Sequence, residues 1–204
     1  MAPPRRIELV FDPDGPVLGI DPGLSRLGYG AVRRAAGAEP VAVAFGVLCT
    51  DPGDPLAQRL ATLEADLEAL VTDIGPSSLA VERILFQANV RTAISVGQAS
   101  GLALAVAARA GVPVTHYSPN EVKLAVTGSG TADKTQVQEM VARLLRLDAP
   151  PSPPDAADAL ALALCHGWSA PLRAATGKAA GRDGDVGPGL ARAVAAALAR
   201  EDAR

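Results

Sequence analysis

Four acidic residues from three separated stretches of this 204-residue chain are of types and spacings that can do chemistry. Asp21 closes the apolar run Val17-Leu18-Gly19-Ile20 and is followed at once by Pro22 and Gly23, a strong turn signal. Glu82 stands near the end of a second short apolar stretch, "SSLAVERIL" over 77–85. Asp155 and Asp158 lie three apart in "PPDAADALALALCHGW" and so share one face at the start of an apolar helix. Each acid also has an ordinary explanation. Asp is a common turn residue, Asp155 can cap a helix, and Asp158 adds a favourable charge to a first turn. Those explanations account less well for two like charges on one face, which repel unless something positive lies between them. A divalent cation is such a charge. Magnesium is held by a few carboxylates, waters and substrate phosphates, with no need for His or Cys. Two such ions about 3.5–4 Å apart can bind both the attacking and the leaving oxygen of a phosphodiester.

The elements that must position these acids follow from hydrophobic periodicity. Strands are expected over 17–21, over the β-like run 28–32 and over "VAVAFGVLC" (41–49), with a hairpin turn between the first two. A helix with Leu56, Leu60, Leu63, Leu67, Leu70 and Val71 on its apolar face follows. Then come a buried strand carrying Glu82, a long small-residue helix over 90–111, a strand over 112–118 and helices beginning near 119, near 134 and in the Pro-rich stretch at 149–168. Three strands followed by alternating helix and strand predict an α/β fold with a mixed central sheet flanked by helices. If the strands ending in Asp21 and Glu82 are parallel neighbours, their carboxylates emerge together at one end of the sheet, where sites of α/β folds form.

The totals set bounds. Residues 1–16 are expected to be an N-terminal extension, 17–168 one domain, and 169–204 a flexible Ala/Gly-rich C-terminal tail. Two cysteines exclude a disulfide scaffold, and with two histidines, all scattered, a structural zinc site is not expected. The N-terminus has no apolar core of a signal peptide, and no apolar run is expected to be long enough to cross a bilayer, so a cytoplasmic chain without a membrane partner is expected. The net charge of −3 argues against a nucleic-acid partner, but the average hides a division. Between Glu82 and Arg146 seven basic residues face four acids, a modest basic region compatible with phosphate contacts.

Taken in order and spacing, "GIDPGLSRLGYG", "AVERILFQANVRTAISVGQASG", "SPNEVKLAVTGSGTADKTQVQEMV" and "PPDAADALALALCH" resemble the successive motifs of RuvC-type Holliday-junction resolvases. The resemblance covers about residues 17–168 and implies an RNase H-like fold and a homodimer. It also implies magnesium-dependent nicking of two opposed strands of a four-way DNA junction in recombination and repair, with manganese as a possible substitute. A branch-migration helicase complex is a further partner to consider. Position by position, the acidic cluster of that family falls on Asp21, Glu82, Asp155 and Asp158, and two DNA-contacting lysines fall on Lys123 and Lys134. The base-contacting aromatic of the family falls where this chain has Leu85, with Phe86 next to it, leaving two candidates for the wedge. Asn89 and Arg91, at the start of the long helix, are further candidates for backbone contact.

On this reading Asp21 bridges two magnesium ions, Glu82 holds one, and Asp155 with Asp158 completes the pair, while an activated water attacks the phosphate in line. The absence of a Ser-His or Cys-His arrangement is no objection, because phosphoryl transfer depends chiefly on positioning and charge neutralisation. Two alternatives stand beside it. A non-cleaving junction-binding protein of the same fold would gain only repulsion from four carboxylates facing phosphate. An actin-like phosphotransferase, which "GIDPG" also fits, would need a second phosphate loop and a nucleotide pocket that the sequence does not offer.

Overall fold

The computed structural model describes residues 15–34, 38–83 and 90–175, without the side chains of 90, 91 and 170–175. All five strands belong to one compact unit that ends at Pro171. The element order is β1 (Val17–Asp21), β2 (Arg26–Arg33), β3 (Val41–Cys49), α1 (Leu56–Ile74), β4 (Ser78–Glu82), α2 (Val90–Ala110), β5 (Val114–Tyr117), α3 (Pro119–Thr127), α4 (Lys134–Leu144) and α5 (Pro154–Ala175).

The five strands form one mixed sheet in the order β3-β2-β1-β4-β5. β1 to β3 make an antiparallel meander, whereas β4 pairs parallel with β1 and β5 parallel with β4. Strand alternation divides the core. Leu18, Ile20, Leu79 and Val81 pack with Leu63 and Leu67 of α1 and Ala99 and Ala103 of α2. On the opposite face Ala80 and Val32 pack with Val122 of α3, Val137 and Val141 of α4 and the run Leu160–Cys165 of α5. Sheet and helices thus form three layers, with α5 across the centre of the second face.

That central placement depends on glycine. Gly19 and Gly30 are partners across β1 and β2, and a Cβ on either would collide with the α5 backbone, at Ala159 and at Leu160. Two bare backbones allow the helix to lie directly on the strands.

The helices begin and end where local chemistry dictates. Ser118 and Glu121 form a reciprocal capping box at α3, with Pro119 in the first turn, and Asp133 and Gln136 form another at α4. α1 stops at Gly75 in the left-handed conformation. α5 starts at Pro154 and runs past Trp168.

Two expectations need correcting. Leu56 was placed on the apolar face of α1, yet it is 46% exposed at the first residue of the helix, and burial on α1 falls on Leu63, Leu67 and Val71. The expectation that no run is long enough to cross a bilayer also fails by length and composition, since Thr92–Ala110 has a mean hydropathy of 1.3. Its small residues raise that value without making it a lipid-facing cylinder: Ala99, Ala103, Val106 and Ala107 are buried against α1 and the sheet.

Candidate active site

β1 and β4 run side by side in the same direction, and Ile20 is the register partner of Val81. Asp21 and Glu82 therefore each stand one residue beyond the same rung. Alternation turns both toward the face that carries α5, because Leu18 and Ile20 on one strand and Leu79 and Val81 on the other are committed to the opposite core. Lys134 and Asp158 line the same cleft of about 230 Å³ with Asp21 and Glu82, and Lys123 of α3 completes its rim. Five elements, β1, β4, α3, α4 and α5, thus converge at the paired ends of β1 and β4.

The electrostatics are those of crowded acid. Burial above all, then the charges of Glu82, Asp158 and Asp155, pushes the Asp21 carboxyl up to about 7, with Lys134 opposing. Burial and Asp158 also raise Glu82 above its ordinary value, again against Lys134. Lys134 is raised in turn, first by its bond to Asp158.

The two helix acids are each held by a protein cation. Lys134 Nζ lies 2.8 Å from Asp158 Oδ2. Arg26, the first residue of β2, donates from Nε at 3.2 Å and from Nη2 at 2.9 Å to Asp155 Oδ2. These cations answer the repulsion that the spacing of Asp155 and Asp158 raised. Among the described residues no group of three His, Cys, Asp or Glu is assembled as a coordination set. The donor chemistry nevertheless fits a hard divalent cation: oxygen ligands only, one of them a buried carboxyl whose ionised form lacks sufficient positive charge around it.

The turn that delivers Asp21 is tied from outside. Thr50 Oγ1, buried, donates to the Leu24 carbonyl at 2.6 Å, and the Thr50 N–H donates to the Ser25 carbonyl at 3.2 Å. Arg59 of α1 donates to Thr50 Oγ1 and, at 2.6 Å, to Ser25 Oγ. The chain leaving Asp21 is thereby fixed to both β3 and α1.

Asp21, Glu82 and Asp158 come together with Asp155 beside them, and Lys123 and Lys134 line the same cleft. Leu85, Phe86 and Asn89 lie outside the described residues, and Arg91 is in the first turn of α2 with its side chain outside them. Arg26 was missed. Its signal was the hairpin register: Gly28 is the partner of Asp21, so a residue two positions earlier on β2 shares that face. Cys165 is buried in the core as expected, and His166 is buried too, its Nδ1 3.0 Å from the Tyr117 hydroxyl.

The chain is similar to known proteins of one family. A family described as crossover junction endodeoxyribonuclease RuvC matches residues 17–166. The protein of that name from Salinispora arenicola is 54% identical over 166 residues, covering 81% of this chain and 95% of the relative. That from Streptomyces griseus is 54% identical over 157 residues, covering 77% of each chain. Among solved structures, the RuvC of T. thermophilus in complex with a Holliday junction substrate superposes with a TM-score of 0.74. Its identity is 37%, over 78% of this chain and 96% of that one. The yeast mitochondrial Holliday junction resolvase, at 15% identity and a TM-score of 0.59 over 82% of this chain and 86% of its own, shares the fold.

Proposed function

This chain belongs to the RuvC family of crossover junction endodeoxyribonucleases, and from that premise we propose that it resolves four-way DNA junctions by paired, symmetric, magnesium-dependent nicks. The observation that carries the reading is the convergence of Asp21, Glu82 and Asp158, with Asp155 adjacent, at the paired ends of β1 and β4. Asp21, Glu82, Asp155 and Asp158 would hold two magnesium ions, with manganese able to substitute. When bound, these ions supply charge neutralisation for the phosphodiester and acidity for the attacking water.

The chain's own part is positioning. β1 and β4 present Asp21 and Glu82 from the buried centre of the sheet, a rigid support for their carboxylates. Pro22 and Gly23 turn the backbone away from the strand end, in a turn so tight that a Cβ on Gly23 would collide with the Arg26 carbonyl oxygen. Lys123 and Lys134 at the cleft bring positive charge to the phosphate backbone. The buried Tyr117–His166 pair is occupied internally and supplies no nucleophile.

Two opposed cuts call for two equivalent sites, which a two-fold dimer provides with one interface. α2 suits that interface. Gly97 and Gly101 have open space around them and Ile94 is 57% exposed, so a second helix can approach closely. Leu85 or Phe86, just before α2, would enter the unstacked centre of the junction. The chain would work in the cytoplasm, alone or with a branch-migration helicase complex.

The test is incubation of the protein with a synthetic four-way junction and magnesium. Paired nicks are expected from the natural chain, and Asp21→Asn is expected to bind the junction without cutting it. Binding without cleavage by the natural chain, in manganese as well as magnesium, would refute the enzymatic reading.

A further inference from the structure

Arg26 has a geometry that the site's acids alone do not explain. Both of its hydrogen bonds end on one oxygen, Asp155 Oδ2, so the pair is a fork closed on a single atom rather than a matched bidentate bridge. The Arg26 side chain is 51% exposed and that of Asp155 30%, so water competes for both partners and the pair is easily exchanged. Its backbone is not free in the same way: the preceding Ser25 is held by Thr50 and Arg59. A fixed backbone thus carries a weakly held, solvent-facing guanidinium at the edge of a carboxylate cluster. Lys134 holds Asp158 from within the cleft, whereas Arg26 holds Asp155 from the side of the turn.

A carboxylate cannot serve a guanidinium and a divalent cation at full strength together. Resting on the metal-dependent reading above, we propose that Arg26 is the resident counter-ion of Asp155: it competes with the divalent cation for that carboxylate and, once displaced, contacts the DNA backbone. Guanidinium chemistry suits the second task, since its planar set of donors fits phosphate oxygens. The cation takes the place of Arg26 at Asp155, and Arg26 brings its charge to the phosphate that accompanies the cation.

The full-length protein, stripped by a chelator, is titrated with Mn²⁺ alone by calorimetry, and junction binding is measured against salt in EDTA and in Ca²⁺, with cleavage scored on the same samples. Arg26→Gln is expected to bind Mn²⁺ about three- to five-fold more tightly than the natural chain, as loss of an exposed competing pair implies, while Arg26→Lys stays near the natural value. In Ca²⁺, Arg26→Gln should lose about one unit of the salt slope, the signature of one phosphate contact. In EDTA its slope should match the natural chain. Asp155→Asn supplies the reciprocal measurement should Arg26→Gln fail to fold: with Arg26 released, its slope in EDTA should steepen by about one unit. Unchanged or weaker Mn²⁺ binding by folded Arg26→Gln, an equal slope loss in both conditions, or an unaltered slope for Asp155→Asn overturns the proposal. A natural chain that takes up no Mn²⁺ overturns the metal reading beneath it, and is recognised as a separate failure because it precedes any comparison of variants.

Discussion

Gly28 of β2 faces the backbone of Asp155 in α5 so closely that a Cβ on residue 28 would collide with the Asp155 carbonyl oxygen. The same glycine is the register partner of Asp21. One residue without a side chain therefore sets the spacing between the strand that carries the first acid and the helix that carries the last two. Gly28→Ala must push the start of α5 off the sheet. We expect a loss of about 1–3 kcal/mol in denaturant unfolding, the usual cost of overpacking, and at least a ten-fold fall in junction cleavage. Gly130→Ala, where a Cβ meets nothing within 4 Å, should change neither. Full cleavage by Gly28→Ala would mean that α5 is not positioned by this contact.

The second prediction concerns pH. In the folded, metal-free chain the Asp21 carboxyl titrates near 7, against an ordinary value of 3.8. Its folded-state pKa is thus raised, so between those values the native state binds more protons than the unfolded one, and stability falls as pH rises through the window. Asp21→Asn cannot ionise and should remove that slope, leaving the variant more stable than the natural chain at pH 8 without metal. Cation binding requires the ionised form, so it should release protons most strongly below pH 7. Calorimetric titrations with Mn²⁺ in buffers of different ionisation enthalpy would measure this release, and a proton count of zero at pH 6 would contradict the shifted pKa.

The fold and the four acids were legible because they rest on rules local to the sequence. Short continuous apolar runs made β1 and β4 buried strands, the Pro-Gly after Asp21 marked the end of β1, and the spacing of Asp155 and Asp158 placed them on one helix face. What the sequence concealed was pairing across long separations. Arg26 and Asp155 are distant in the chain and meet only because Gly28 admits α5 to the sheet. Arg59 gave an equally weak signal, since its work depends on Thr50 and Ser25 arriving from two other elements. The cations that neutralise the helix acids were also hidden for a chemical reason: the repulsion at that spacing announces a positive charge without saying whether an ion or a side chain supplies it.

The third prediction tests the ties on the turn after Asp21. Thr50→Val keeps the shape but removes the hydroxyl that donates to the Leu24 carbonyl and accepts from Arg59. The buried carbonyl loses a partner, at a cost of about 1–3 kcal/mol. Because this turn carries Asp21 on one side and Arg26 on the other, cleavage rate should fall several-fold while junction affinity holds. Thr50→Ser should restore both. Restored stability without restored cleavage in Thr50→Ser would separate the hydroxyl from the positioning of Asp21.

The last prediction links a helix cap to the cleft. Asp133 Oδ1 accepts from the Gln136 N–H at 2.9 Å, and Gln136 Oε1 accepts from the Asp133 N–H at 3.0 Å. The next residue is Lys134, whose ammonium holds Asp158 at 2.8 Å and is raised above its ordinary pKa by that bond first of all. The cap therefore fixes the backbone from which the lysine reaches the acid. Asp133→Ala should cost about 1 kcal/mol, as loss of an N-cap does, and should also move the Lys134 pKa down toward its ordinary value as the first turn frays. Asp133→Asn retains the side-chain acceptor and should leave both nearly unchanged. Side-chain carbon shifts of Lys134 followed by NMR against pH would report the pKa, and thermal unfolding would report the cap. A stability loss in Asp133→Ala with the Lys134 titration unmoved would show that Lys134 finds Asp158 without the capping box.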